Sequence, residues 1–63
     1  MEALLTVHAE LPEELAWALA QLVKRAGYSD YRRLAATDAQ AWQMLEAAEH
    51  LRRALENIGI APR

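Results

Sequence analysis

Residues 3–11, Ala-Leu-Leu-Thr-Val-His-Ala-Glu-Leu, run directly into Pro12-Glu13-Glu14-Leu15, and the change of pattern at that join decides the fold. Up to Leu11 the period is two. Leu5, Val7, Ala9 and Leu11 share one face, and Leu4, Thr6, His8 and Glu10 share the other. Alternation with β-branched Thr6 and Val7 predicts a short strand over 3–11 with one face to bury. A lone strand leaves its backbone groups unpaired, so it requires a second chain's strand or a cover of helices. From Pro12 the period becomes helical. Proline suits the first helical position, where an N–H is not needed, and the carboxylates of Glu13 and Glu14 lie at the positive end of the helix dipole. A helix is predicted over 12–26, stopping at Gly27 as a left-handed cap with Tyr28 packing back on Val23. Its apolar stripe is Leu15, Ala18, Leu19, Leu22, Val23 and Ala26. Trp17 lies nearly opposite, beside Ala20, Gln21 and Lys24.

Ser29 and Asp30 can cap a short helix over 29–36. Thr37-Asp38-Ala39-Gln40 then reads as a capping box that opens a helix over 38–58. Gly59 is placed to end it, with Ile60 touching Leu55 and Pro62 blocking continuation in a tail over 59–63. The apolar stripe of this helix is Ala41, Met44, Leu45, Ala48, Leu51, Leu55 and Ile58, widened by Ala47 and Ala54. Trp42 falls off it, among Glu46, Glu49 and Arg53, and Glu49 and Arg53 are spaced for an ion pair. The expected architecture is mainly α, a single small domain over 1–63. It consists of a short N-terminal strand followed by an antiparallel helical hairpin, with the short helix between its two main helices. In such a hairpin Arg52 and Arg53 return to the level of Glu13 and Glu14.

The 63 residues hold 14 Ala against ten Leu, two Val and two Ile, so the core is small and a dimer or a bound partner would support it. Cys is absent, which excludes a disulfide framework, a zinc–thiolate site and a thiol nucleophile. No apolar run reaches the length of a membrane span and the first residues do not resemble a signal peptide, so a cytoplasmic protein is expected. A net charge of −2 is too balanced to point to nucleic acid by itself.

Candidates for chemistry are few. The chain has one Ser, two Thr and two His, and both glycines are accounted for as helix stops. Glu46, Glu49 and His50 come nearest to a metal site, but position 47 is Ala where a Glu-x-x-His pair needs its carboxylate. No metal, no cofactor and no catalytic residue is expected, and the protein is read as a non-enzyme. The two off-stripe tryptophans are the informative feature, because aromatic side chains outside a core are favoured anchors for partners. The candidate partner-binding residues are therefore Trp17, Gln21, Lys24, Trp42, Glu46 and Arg53. Lys24, Arg25, Arg32 and Arg33 gather at the turn end and form a candidate phosphate-contacting group.

Two resemblances arise from these residues. The run from Leu5 to Leu15, followed by a helix, Gly27, Ser29 and a second helix, resembles the ribbon-helix-helix repressors. That resemblance implies a homodimer paired through the N-terminal strand, with Thr6, His8 and Glu10 turned toward the major groove. The segment from Leu11 to Arg32, with the ending Gly59-Ile60-Ala61-Pro62-Arg63, resembles short uncharacterised proteins of proteobacterial prophages and genomic islands. It implies an accessory protein of a mobile element. The leading expectation is a non-enzymatic protein that binds a host protein or complex, for example an anti-CRISPR-type inhibitor of a defence complex. The alternative is a dimeric DNA-binding regulator that uses Thr6, His8, Lys24, Arg25, Arg32 and Arg33.

Overall fold

The computed structural model describes residues 3–63; Met1 and Glu2, which the expected single domain includes, lie outside the described residues. Three helices follow one another: α1 over Glu13–Arg25, α2 over Tyr28–Leu34 and α3 over Asp38–Asn57. α3 is the spine. It packs against both other helices, α2 along its first half and α1, running antiparallel, along its second.

The expected strand over 3–11 is not formed, and the described residues contain helices and no strands. The backbone there is free of ladder hydrogen bonds, and Leu4, Leu5 and Val7 are about 90 % exposed (92, 90 and 89 %). Alternation makes a segment competent for pairing, but a strand exists only where a second backbone supplies the opposite row of donors and acceptors. Among the described residues of one copy nothing does. The segment stands off the helices, and the radius of gyration of 12.7 Å exceeds the roughly 11 Å of a close-packed chain of this length.

Helix ends follow local chemistry. Thr37 Oγ1 accepts from the Gln40 amide at 3.1 Å, and Gln40 Oε1 accepts in return from the Ala36 amide at 2.7 Å, one residue earlier than a standard capping box. At the far end Gly59 has φ +88°, its amide donates to the Glu56 carbonyl at 2.9 Å, and the Ile60 amide donates to the Leu55 carbonyl at 2.9 Å. This is the Schellman arrangement, and Ile60 packs on the core beside Leu55 as expected.

Gly27 differs from expectation. α1 ends at Arg25, one residue earlier than expected; Ala26 after it is extended at φ −66° and ψ 132°, and Gly27 is extended at φ −119°. It serves as the first residue outside α2, donating its amide to Asp30 Oδ2 at 2.9 Å. The short helix accordingly spans Tyr28–Leu34 rather than 29–36. Asp30, rather than Ser29, supplies the cap.

The core is built of small residues: Ala16, Ala20 and Val23 from α1, and Ala41 and Leu55 from α3. Leu19, Ala48 and Ile60 pack around it. On α1 this corrects part of the predicted stripe: Val23 and Leu19 reach the core as expected, but Ala16 and Ala20 take the inward positions and leave Leu15 and Leu22 at 55 and 61 % exposure. Methyl-sized Ala16 and Ala20 let the α3 axis approach closely, and the helix turns that side inward at the expense of covering its leucines. The expected end-to-end ion pairs also give way to local ones. Arg52 binds Glu56 at 3.1 Å and Glu49 at 3.5 Å within its own helix, in place of the Glu49–Arg53 pair.

Candidate interaction surfaces

Two surfaces of different chemistry lie on opposite sides of the α1–α3 hairpin. The first is an apolar groove of about 760 Å³, open to solvent, between α1 and α3, with α2 closing one end. Leu22, Leu34 and Leu51 border it, at 61, 77 and 39 % exposure. Gln21 and Arg25 stand on its wall. Gln21 Oε1 is buried there without a hydrogen-bond partner, an acceptor that a donor seated in the groove would satisfy.

The second surface carries the tryptophans. Trp42 stacks against Tyr28, ring centroids 4.3 Å apart and planes tilted by 30°, and it still exposes 57 % of its surface. The pair ties the start of α2 to α3 and presents a broad aromatic face outward. Trp17, 37 % exposed, sits near the start of α1 and therefore at the other end of the antiparallel hairpin from Trp42. Between them the C-terminal tail crosses the helices. Ile60 and Pro62 border a recess with Ala20, Lys24, Arg52 and Glu56, and Lys24 Nζ donates to the Pro62 carbonyl at 3.0 Å.

The expected partner-binding set is therefore divided. Trp42 and Glu46, one turn apart on α3, share the aromatic side. Lys24 is engaged with the tail, and Gln21 belongs to the groove. Arg53 is exposed on α3. No single helix's pattern shows the groove, although its residues recur at helical spacing.

The basic group is also partly engaged. Arg32 forms an ion pair with Asp38 and donates to the Ala35 carbonyl at 3.3 Å, while Arg33 Nη2 lies 2.8 Å from Asp30 Oδ1. The Gly27 amide, and after it the Arg33 guanidinium, hold the Asp30 carboxyl below its usual range. Thr6 and His8 are exposed on the extended segment, with His8 Nε2 and Glu10 Oε1 3.6 Å apart on one side of it. Among the described residues there is no cluster of three or more metal-ligating side chains, and no helix is long and apolar enough to cross a membrane.

A model for a family of unknown function, DUF7706, matches residues 1–63. The chain belongs to that family. No curated protein and no solved structure matches it. Membership carries no activity with it, so any role for this DUF7706 chain has to be argued from its own surfaces.

Proposed function

We propose that this protein acts by binding another protein, without catalysis, and that the aromatic face at Trp42 and Tyr28 is where the partner docks. The observation that carries the reading is the exposure of Trp42: a stacked, oriented indole leaves more than half of its surface to solvent. Burying such a side chain releases a large apolar area at little cost in side-chain order, which is why tryptophan and tyrosine concentrate at binding hot spots. Glu46, one turn further along α3, adds a charge beside the ring that would select the partner's orientation.

The finer reading is an accessory protein of a mobile element whose partner is a host protein complex, an inhibitor of the anti-CRISPR type. Its support is the resemblance of the Leu11–Arg32 segment and the C-terminal ending to proteins of prophages and genomic islands. A DNA-binding role has less to draw on. Asp38 and Asp30 already neutralise Arg32 and Arg33 locally, and the strand that would place Thr6 and His8 in a groove is absent.

The test is affinity capture from host lysate with the tagged full chain, its Trp42→Ala variant and its Glu46→Arg variant. Both substitutions are expected to abolish capture of a specific protein, and Glu46→Arg leaves the Tyr28–Trp42 stack in place. Undiminished capture by both variants, with helicity retained, would overturn the assignment.

A further inference from the structure

Along α1, Leu15, Ala18 and Leu22 are spaced by three and four residues and all are exposed. Along α3, Ala47, Leu51, Ala54 and Ile58 repeat at four, three and four residues, and all are exposed as well. Alternation of three and four is the spacing that one helix presents to another packed along it at a shallow angle. Neither line is the one the two helices use against each other, which runs through Ala16, Ala20 and Val23 on α1 and through Leu55 on α3. Because α1 and α3 are antiparallel, the two exposed lines lie side by side and form one apolar face, continuous with the groove that Leu22 and Leu51 border. The tail with Ile60 and Pro62 closes the other side of the same hairpin. Among the described residues nothing covers this side.

We propose that a second copy of this chain covers the open face, so that two α1–α3 hairpins form a four-helix bundle. The α3 pattern is self-complementary. A two-fold axis perpendicular to the helices, midway between Leu51 and Ala54, sets Ile58 against Ala47 of the second copy and Leu51 against its Ala54, large against small on each occasion. No charged residue stands on the α3 line; on α1, Arg25 follows Leu22 by three residues and borders the groove, so its guanidinium would have to reach solvent at the rim of the interface. Leu15, Leu22, Leu34, Leu51 and Ile58 leave 55, 61, 77, 39 and 72 % of their surface exposed. With the alanines this amounts to on the order of 600 Å² per chain, so complete burial of the face in two copies would just reach the roughly 1,200 Å² at which specific interfaces begin. The closure is isologous and ends at two copies. It uses the side of the hairpin opposite Trp42, so it stands or falls independently of the partner-docking surface.

The test is sedimentation equilibrium of the full chain from micromolar to submillimolar concentration. The expected result is twice the 7.1 kDa monomer mass, with the association weakened about 100-fold or more by Leu22→Glu combined with Leu51→Glu. Trp42→Ala should leave self-association unchanged. Since the chain has no cysteine, a second arm uses Ala54→Cys with a short bismaleimide, expected to give a covalent dimer, against Ser29→Cys, expected to give none. A monomer at every concentration would overturn the proposal. So would a dimer that survives the double substitution, or an Ala54→Cys protein that does not cross-link.

Discussion

The Ile60 amide donates to the Leu55 carbonyl at 2.9 Å, and the Ile60 side chain packs on the cluster that Leu55 helps to form. One turn of backbone thus both ends α3 and folds the tail over the core. The turn is possible because Gly59 takes φ +88°, a region that residues with a Cβ enter at a cost.

Gly59→Ala should therefore lower stability by about 1 kcal/mol, although nothing lies within 4 Å of the added methyl. Gly27→Ala, where φ is −119° and the space is equally open, should shift stability by less than about 0.5 kcal/mol. Urea unfolding followed by circular dichroism checks both. Equal effects at the two glycines would contradict the assignment of the C-terminal turn as the strained one.

Leu55 is 7 % exposed and Leu22 is 61 % exposed, so the same truncation should have unequal costs. Leu55→Ala should cost about 2–5 kcal/mol, enough to unfold much of so small a domain. Leu22→Ala, measured at a concentration where the chain is monomeric, should cost less than about 1 kcal/mol. Thermal unfolding of the two variants separates them.

Residues 3–10 contribute no buried apolar surface and no ladder bonds to the described helices. Deleting them should leave the unfolding free energy within about 0.5 kcal/mol of the full chain. A larger loss in the urea midpoint would mean that the segment packs on the helices after all.

The Asp30 carboxyl is held below its usual value by the Gly27 amide first and the Arg33 guanidinium second. A depressed folded value binds protons less readily than the unfolded chain does, so the contribution to stability is present above the ordinary carboxylate pKa of 3.8 and disappears as pH falls through the lowered one. α2 should accordingly loosen only in acid, below about pH 4. Asp30→Ala should remove the Gly27 contact and fray α2 at neutral pH. A side-chain carboxyl titration by NMR, with and without Arg33→Ala, checks the direction of the shift.

The helix ends were legible in sequence because their signals are local. Thr37 with Gln40, and Gly59 with Ile60, act over five residues or fewer, and the backbone hydrogen bonds they predict are formed. The inward side of α1 was not legible. Leu15 and Leu22 give the stronger apolar stripe, yet α3 lies against Ala16 and Ala20, where small side chains allow a closer approach. The strand over 3–11 failed for a related reason, since alternation shows what a segment can pair with and not whether the partner backbone is there. Trp42 was visible as an off-stripe aromatic from spacing alone. Its stacking on Tyr28 was not, because that contact joins two helices whose relative placement no local pattern sets. The open face has a sequence signal that spans two helices: the three-and-four spacing of Leu15, Ala18 and Leu22 beside that of Ala47, Leu51, Ala54 and Ile58.

Docking at the Trp42 face is decided by quantitative capture from host lysate by the wild-type chain and by Glu46→Arg at matched concentration, with circular dichroism of both. The expected result is equal helicity and loss of one specific captured protein by the variant. The same protein captured in equal amount by both chains would contradict docking at the Trp42 face.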